Sequence, residues 1–196
     1  MSAFKVAIVG GIGSGKSVVS QLMSLCGVPV YDCDAHAKQL MDVDPALRAA
    51  LIEAVGAEVY TAEGRLNRKF LASYMFGYPE RVARVNSIVH PVVKAHFAAW
   101  AQHLTAPVVA VETAILFESG MDAEVDAILV VHAPETLRLQ RAMTRDGVGE
   151  ETVRKRMASQ MDADELLSHA TYIIYNDDST PLIPQVDSLL QRIRGL

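Results

Sequence analysis

FKVAIVGGIGSGKSVVSQLMSLC, residues 4–26, sets an apolar run, a glycine-rich loop and a helix-like segment end to end. Phe4–Val9 has the length and apolarity of a buried strand. From Lys16 on, Val18, Val19, Leu22, Met23 and Leu25 recur at helical spacing up to Gly27. Between them stands Gly10-x-x-x-x-Gly15-Lys16-Ser17, which fits the phosphate-binding P-loop pattern G-x-x-x-x-G-K-[ST]. Glycines let successive backbone N–H groups point into one concavity without a Cβ in the way. The helix that follows adds the partial positive charge of its N-terminus. Gly11, Ile12, Gly13, Ser14, Gly15, Lys16, Ser17 and Val18 are therefore candidate nucleotide-binding residues. Lys16 is expected to reach the β- and γ-phosphates, and Ser17 to ligate Mg²⁺.

Outward from this loop the chain alternates strands and helices. Strands are expected at Val28–Tyr31, Val108–Glu112, Ala127–His132 and Tyr172–Tyr175. Helices are expected at Leu137–Met143, Glu150–Gln160 and Pro184–Ile193. Residues from about 35 to 102 are almost wholly helical, with Pro91 expected to mark a kink or break. Alternating βα units imply an α/β fold with a parallel sheet covered on both faces. With the P-loop, this predicts a three-layer P-loop NTPase fold with five parallel strands. One domain, residues 1–196, is expected. Its nucleotide core would be about 1–34 and 105–196, its helical subdomain about 35–102, and an arginine-rich lid about 138–168.

The chain has 196 residues, a net charge of -5 and 51% hydrophobic residues, which fits a globular protein and argues against a general nucleic-acid binder. Its longest apolar runs, such as Ala127–Val131, fall far below the roughly 18 residues of a membrane span. MSAFKVAIVG, residues 1–10, has no signal-peptide pattern, so a cytoplasmic protein is expected, with a monomer favoured. Cys26 and Cys33 form no CxxC pair and read as reduced thiols.

Two further features bear on chemistry. Asp32 and Asp34 follow the second expected strand, at the end where ligands of such sheets bind. A carboxylate there can orient an acceptor hydroxyl, take its proton, or hold Mg²⁺ through water; Asp34 also suits a helix N-cap. Arg138, Arg141, Arg145, Arg154, Lys155 and Arg156 concentrate positive charge within nineteen residues. They fit a lid that meets transferring phosphate, and equally a solvated face paired with Asp146, Glu150 and Glu151.

Taken in order, these motifs resemble the dephospho-CoA kinase family over almost the whole chain. The carrying segments are GGIGSGKS (10–17), Asp32-Cys33-Asp34, GRLNRKFL (64–71), VNSIVHP (85–91) and AILFE (114–118). Gln140-Arg141, Arg145-Asp146, RMASQ (156–160) and ATYIIYN (170–176) complete the pattern. Val18, Ala114 and Thr171 depart from it. The resemblance implies phosphorylation of the ribose 3′-hydroxyl of dephospho-CoA, with ATP as donor and Mg²⁺ as cofactor. It implies Lys16, Asp34 and Arg141 as catalytic residues, and Arg145 and Asn176 on the nucleotide. Asp32, Asp34, Arg68, Asn86 and His90 would bind the acceptor, although Arg68 also reads as a surface arginine and His90 as a group satisfying buried backbone. Another small-molecule P-loop kinase and an NTP-dependent switch are the alternatives. The guanine-reading N-K-x-D motif of a GTPase switch is missing from the sequence.

Overall fold

A computed structural model of the chain describes residues 3–195; residues 1, 2 and 196, the outer ends of the expected domain, lie outside them. The chain forms two compact units, one running up to Asp32 and again from Ala101 on, the other Cys33–Trp100.

The first unit is built on five parallel strands: β1 (Phe4–Val9), β2 (Val30–Asp32), β3 (Val108–Glu112), β4 (Ala127–His132) and β5 (Tyr172–Tyr175), in the spatial order β2-β3-β1-β4-β5. The strands are short and mostly apolar, as expected where both faces are covered, with Lys5 inside β1 and Asp32, Glu112 and His132 at the ends of β2, β3 and β4. On one face Val6, Ile8, Val108, Ala110, Leu129, Val131 and Ile174 pack against two helices. These are α1 (Lys16–Leu25), through Val19 and Met23, and α9 (Leu182–Arg194), through Val186, Leu189, Leu190 and Ile193. The alternate residues Ala7, Val9, Val109, Val111 and Val130 are buried as well. The five-stranded parallel architecture agrees with expectation. The second strand is the exception: it starts at Val30, two residues later than its apolar pattern suggested, and extends to Asp32.

After β4 come α6 (Glu135–Asp146), α7 (Glu150–Ala158) and α8 (Ala163–Ser168). Leu139, Ala142 and Val153 make a small second core between α6 and α7, and Ile12 of the glycine-rich loop packs into it. Helix α8 is short and has no fully buried residue, with Ala163, Leu166 and Leu167 half-buried; Asp162 caps it by accepting from the N–H groups of Asp164 and Glu165.

The second unit is helical: α2 (Cys33–Val43), α3 (Pro45–Val55), α4 (Arg68–Met75) and most of α5 (Pro79–Gln102), with a 3-10 turn at Ala57–Val59. Helix α5 passes through Pro91 as one element, so of the kink or break expected there the break does not occur. Proline in a helix interior costs about 3 kcal/mol. Against this, Val85, Val89, Val93 and Phe97 are spaced i, i+4 and all buried, so the continuous stripe stabilises the helix by several times that amount. Asp44 caps α3 and Asn67 caps α4, each accepting from a backbone N–H three residues on. Among the described residues, no helix is long and apolar enough to cross a membrane.

Candidate active site

Residues 10–15 join β1 to α1 at the carboxyl end of the sheet. Gly13 and Gly15 adopt φ of 78° and 92°, which side chains disfavour. A Cβ on Gly13 would run into the backbone carbonyl of Arg138, and one on Gly15 into the Asn176 amide. Helix α1 opens at Lys16 with no side-chain cap and no acidic residue in its first turn. Its first free N–H groups are thus suited to an anion.

Lys16 Nζ donates to the carbonyls of Gly10 (2.6 Å) and Gly11 (3.4 Å), folding its ammonium back over the loop. Ser14 is buried at 1% exposure, and its Oγ has no hydrogen-bond partner among the described residues. Ser17 Oγ donates to Glu112 Oε1 at 2.8 Å. Glu112 ends β3, on one rung with Asp32 of β2 and Ile8 of β1. The sheet itself therefore brings two carboxylates, Asp32 and Glu112, to the strand ends beside the loop. Glu112 received no role from the sequence. The available signal was a carboxylate closing an apolar strand of the same sheet that carries the loop.

Helix α6 and the segment after β5 meet the loop on another side. The Arg141 guanidinium donates to the carbonyls of Asn176 (3.0 Å) and Gly13 (3.5 Å) and to Asn176 Oδ1 (3.5 Å), and it pairs with the Asp178 carboxylate. Asn176 Nδ2 donates to the Ser14 carbonyl at 2.8 Å. The strand pairing fixes Asn176, whose N–H donates to His132 at 2.8 Å. Asp178 is the one non-glycine of positive φ among the described residues, at 64°. Its neighbour Asp177 accepts four hydrogen bonds from Ser179 and Thr180, which pull its carboxyl down to about 2. Gln160, between α7 and α8, accepts from the Ile12 N–H at 2.8 Å. Gln160 stood in a quoted motif without a role, and only the fold shows what it touches.

The basic residues of α6 and α7 do not act as one patch. Arg145 donates twice to Asp146 (2.8 and 3.1 Å), and Arg156 reaches the same carboxylate at 3.0 Å. These arginines, Arg145 first, hold the Asp146 carboxyl below its ordinary range. Arg154 pairs with Glu150 (2.7 Å) and Glu135 (2.8 Å), and Lys155 with Glu151 (2.8 Å). The solvated-face arrangement thus describes these four, while Arg141 is drawn to the loop.

Asp34 belongs to the helical unit. It is the second residue of α2, inside the first turn, so it is not the N-cap that its sequence position allowed. There its charge opposes the helix dipole favourably. Arg68 opens α4, with Nη2 3.5 Å from Asp42 and the side chain 60% exposed. Asn86 and His90 are half-buried, one helical turn apart on α5. The segment carrying Arg68 is fixed by residues far away in sequence. Arg48 donates to the carbonyls of Asp42 (2.8 Å) and Gly64 (2.7 Å), and its guanidinium lies over the Tyr60 ring. Asp42 accepts from the Leu66 N–H at 2.8 Å. Burial pushes the Tyr60 hydroxyl up, and that hydroxyl donates to the Met41 carbonyl at 2.7 Å.

The sequence model of the family described as dephospho-CoA kinase matches residues 4–181. The chain belongs to the dephospho-CoA kinase family. A dephospho-CoA kinase of Bacteroides fragilis is 44% identical over 189 residues, covering 96% of this chain and 92% of its own. A crystal structure from Thermus thermophilus superposes with a TM-score of 0.80 at 33% identity, covering 100% of this chain and 98% of that one. Dephospho-CoA kinase from Campylobacter jejuni superposes with a TM-score of 0.73 at 25% identity, over 97% and 98% of the two chains.

Proposed function

We infer that this chain transfers the terminal phosphoryl group of ATP to the ribose 3′-hydroxyl of dephospho-CoA, giving CoA and ADP. The observation that carries this is the loop at Gly10–Ser17, with Lys16 folded over it and α1 open behind it, in a member of this family. Phosphoryl transfer passes through a loose transition state, so positioning and charge stabilisation do most of the work. The loop N–H groups and the α1 N-terminus hold the β-phosphate. Lys16 exchanges its two carbonyl partners for β- and γ-oxygens. Arg141, fixed by Asn176 and Asp178, places its guanidinium at the Gly13–Ser14 end of the same loop.

The donor set at Ser17 fits Mg²⁺: an exposed hydroxyl at the helix start, hydrogen-bonded to the Glu112 carboxylate, beside a cradle for phosphates. Ser17 would hold the ion, with Glu112 and Asp32 orienting its waters. When bound, Mg²⁺ neutralises charge on the β- and γ-phosphates. Asp34 orients the acceptor hydroxyl and takes its proton as the bond to phosphorus forms. Residues 35–102 serve as the acceptor-binding subdomain, where Arg68 pairs with an acceptor phosphate and Asn86 and His90 line the acceptor site. The reading is completed by a cytoplasmic monomer that binds no nucleic acid.

The test is ADP release with ATP and Mg²⁺, with and without dephospho-CoA, with the product identified by mass. Acceptor-dependent release yielding CoA, collapsing in Asp34→Asn with the fold intact, is expected. Release indifferent to dephospho-CoA would leave a nucleotide site with a different acceptor. Near-normal turnover in Asp34→Asn would remove Asp34 from the chemistry.

A further inference from the structure

We propose that Arg138 contacts the terminal phosphate of the bound nucleoside triphosphate, a role that rests on the nucleotide reading above. Arg138 lies in the first turn of α6, three residues before Arg141. Both its main chain and its side chain lie against the loop: a Cβ on Gly13 would meet its carbonyl, and a Cβ on Gly11 would meet its Nη1. Lys16 Nζ binds the carbonyls of Gly10 and Gly11. Two cations therefore converge on one glycine pair, and the lysine of such a loop serves the β- and γ-phosphates. Arg141 engages the other end of the loop, at Gly13 and Asn176.

Charge compensation separates Arg138 from its neighbours. Arg141, Arg145, Arg154 and Arg156 each have a carboxylate partner. The half-buried Arg138 guanidinium makes no hydrogen bond or ion pair among the described residues. It lines an open cavity of about 500 Å³ with Glu135, Gln160 and Asp162. Neither acid there is available to it. Glu135 is engaged by Arg154 at 2.8 Å, and Asp162 caps α8 through the N–H groups of Asp164 and Glu165. A partly desolvated cation without a counter-ion is unfavourable until an anion arrives. The forked donors of a guanidinium match phosphate oxygens.

The experiment compares Arg138→Met and Arg138→Lys with the wild-type chain. Calorimetry measures Mg²⁺-loaded binding of the β,γ-imido analogue of ATP and of ADP, and kinetics with ATP and dephospho-CoA gives kcat. The Met variant should bind the imido analogue roughly 10- to 100-fold more weakly, the span of a hydrogen bond to a charged group. ADP binding should change less than about twofold, kcat should fall in parallel with the analogue, and Lys should restore part of both. Equal weakening of analogue and ADP, or no change in either, would overturn the role of Arg138. If the Met variant does not fold, the same ratio of analogue to ADP affinity in the Lys variant decides: a selective loss supports the contact, and an unchanged ratio with unchanged kcat overturns it. A wild-type chain that binds neither nucleotide would overturn the nucleotide reading itself, and this proposal with it.

Discussion

Two motif-bearing segments, Gly10–Ser17 and Gly64–Leu71, are held in opposite ways. The first carries its own explanation. Gly13 and Gly15 stand where φ is positive and a Cβ has no room, the lysine binds the loop's own carbonyls, and lysine and serine form the first residues of the next helix. The second is shaped by residues outside it. Asp42 takes the Leu66 N–H, Arg48 takes the Gly64 carbonyl, and Tyr60 forms a short bridge to Leu66 while lying under Arg48. A contiguous motif whose parts act on one another can be read from sequence. A motif whose geometry is imposed from twenty residues away shows its pattern and hides its cause.

The largest effect should come from the self-contained segment. Lys16→Ala removes the ammonium that we propose meets the transferring charge, and kcat/KM should fall about 10³-fold, the scale of losing a preorganised electrostatic donor. The melting temperature should barely move, because Lys16 is half-buried and contributes nothing to the sheet core. Steady-state kinetics beside thermal unfolding checks both statements. A loss of stability comparable to the loss of rate would mean that this loop, too, is held from outside.

The second segment should respond in the reverse sense. Asp42→Ala leaves the N–H of Leu66, a buried residue, without its acceptor and deprives Arg68 of its carboxylate. An unsatisfied buried donor costs about 1–3 kcal/mol, so urea unfolding should shift clearly. Asp42→Asn keeps an oxygen for Leu66 and should recover most of that stability. If Arg68 binds the acceptor, Asp42→Ala should also raise the KM for dephospho-CoA and spare that for ATP. An unchanged acceptor KM with reduced stability would make the segment purely architectural.

The same contrast explains what the sequence made legible. Strands β1, β3, β4 and β5 fall where their apolar runs lie: a strand covered on both faces is mostly apolar, and the edge strand β5, which fully buries only Ile174, still carries a run of aromatic and β-branched residues. Strand β2 was misplaced because Val28 and Pro29 are apolar but precede the ladder, which begins at Val30; Pro29 only accepts there, from the Ala110 N–H, and has no N–H to give. Helix α8 was missed because its six residues make fewer than two turns and none is fully buried, so no periodicity marks it. At the site, Lys16 and Ser17 could be named from spacing alone. Arg138 could be named only as one of a basic cluster, and Glu112, Gln160 and Asp178 could not be named, since strand order and the segments after α7 and β5 put them where they are.

The smallest effect concerns the segment after β5, which resembles Gly10–Ser17 in being self-contained. Asp177 accepts from the N–H of Ser179 (2.9 Å) and of Thr180 (2.8 Å) and from both hydroxyls. These bonds need the carboxylate, which is why its pKa drops from 3.8 to about 2. A depressed carboxyl pKa adds stability that is present in full above the unfolded value near 3.8 and disappears as pH falls through about 2. Asp178, held at φ 64°, comes next in the chain and carries the partner of Arg141. Acidification from pH 4 to 2 should therefore loosen residues 177–180 and release Arg141, while near-neutral activity stays flat with respect to this group. Carbon-detected NMR of the Asp177 carboxyl should give a midpoint near 2, and Asp177→Asn should abolish the acid-dependent change in the Ser179 and Thr180 amide signals. A midpoint near 3.8 would show that the turn is held by its backbone instead, which would place it with Gly64–Leu71 among segments shaped from outside.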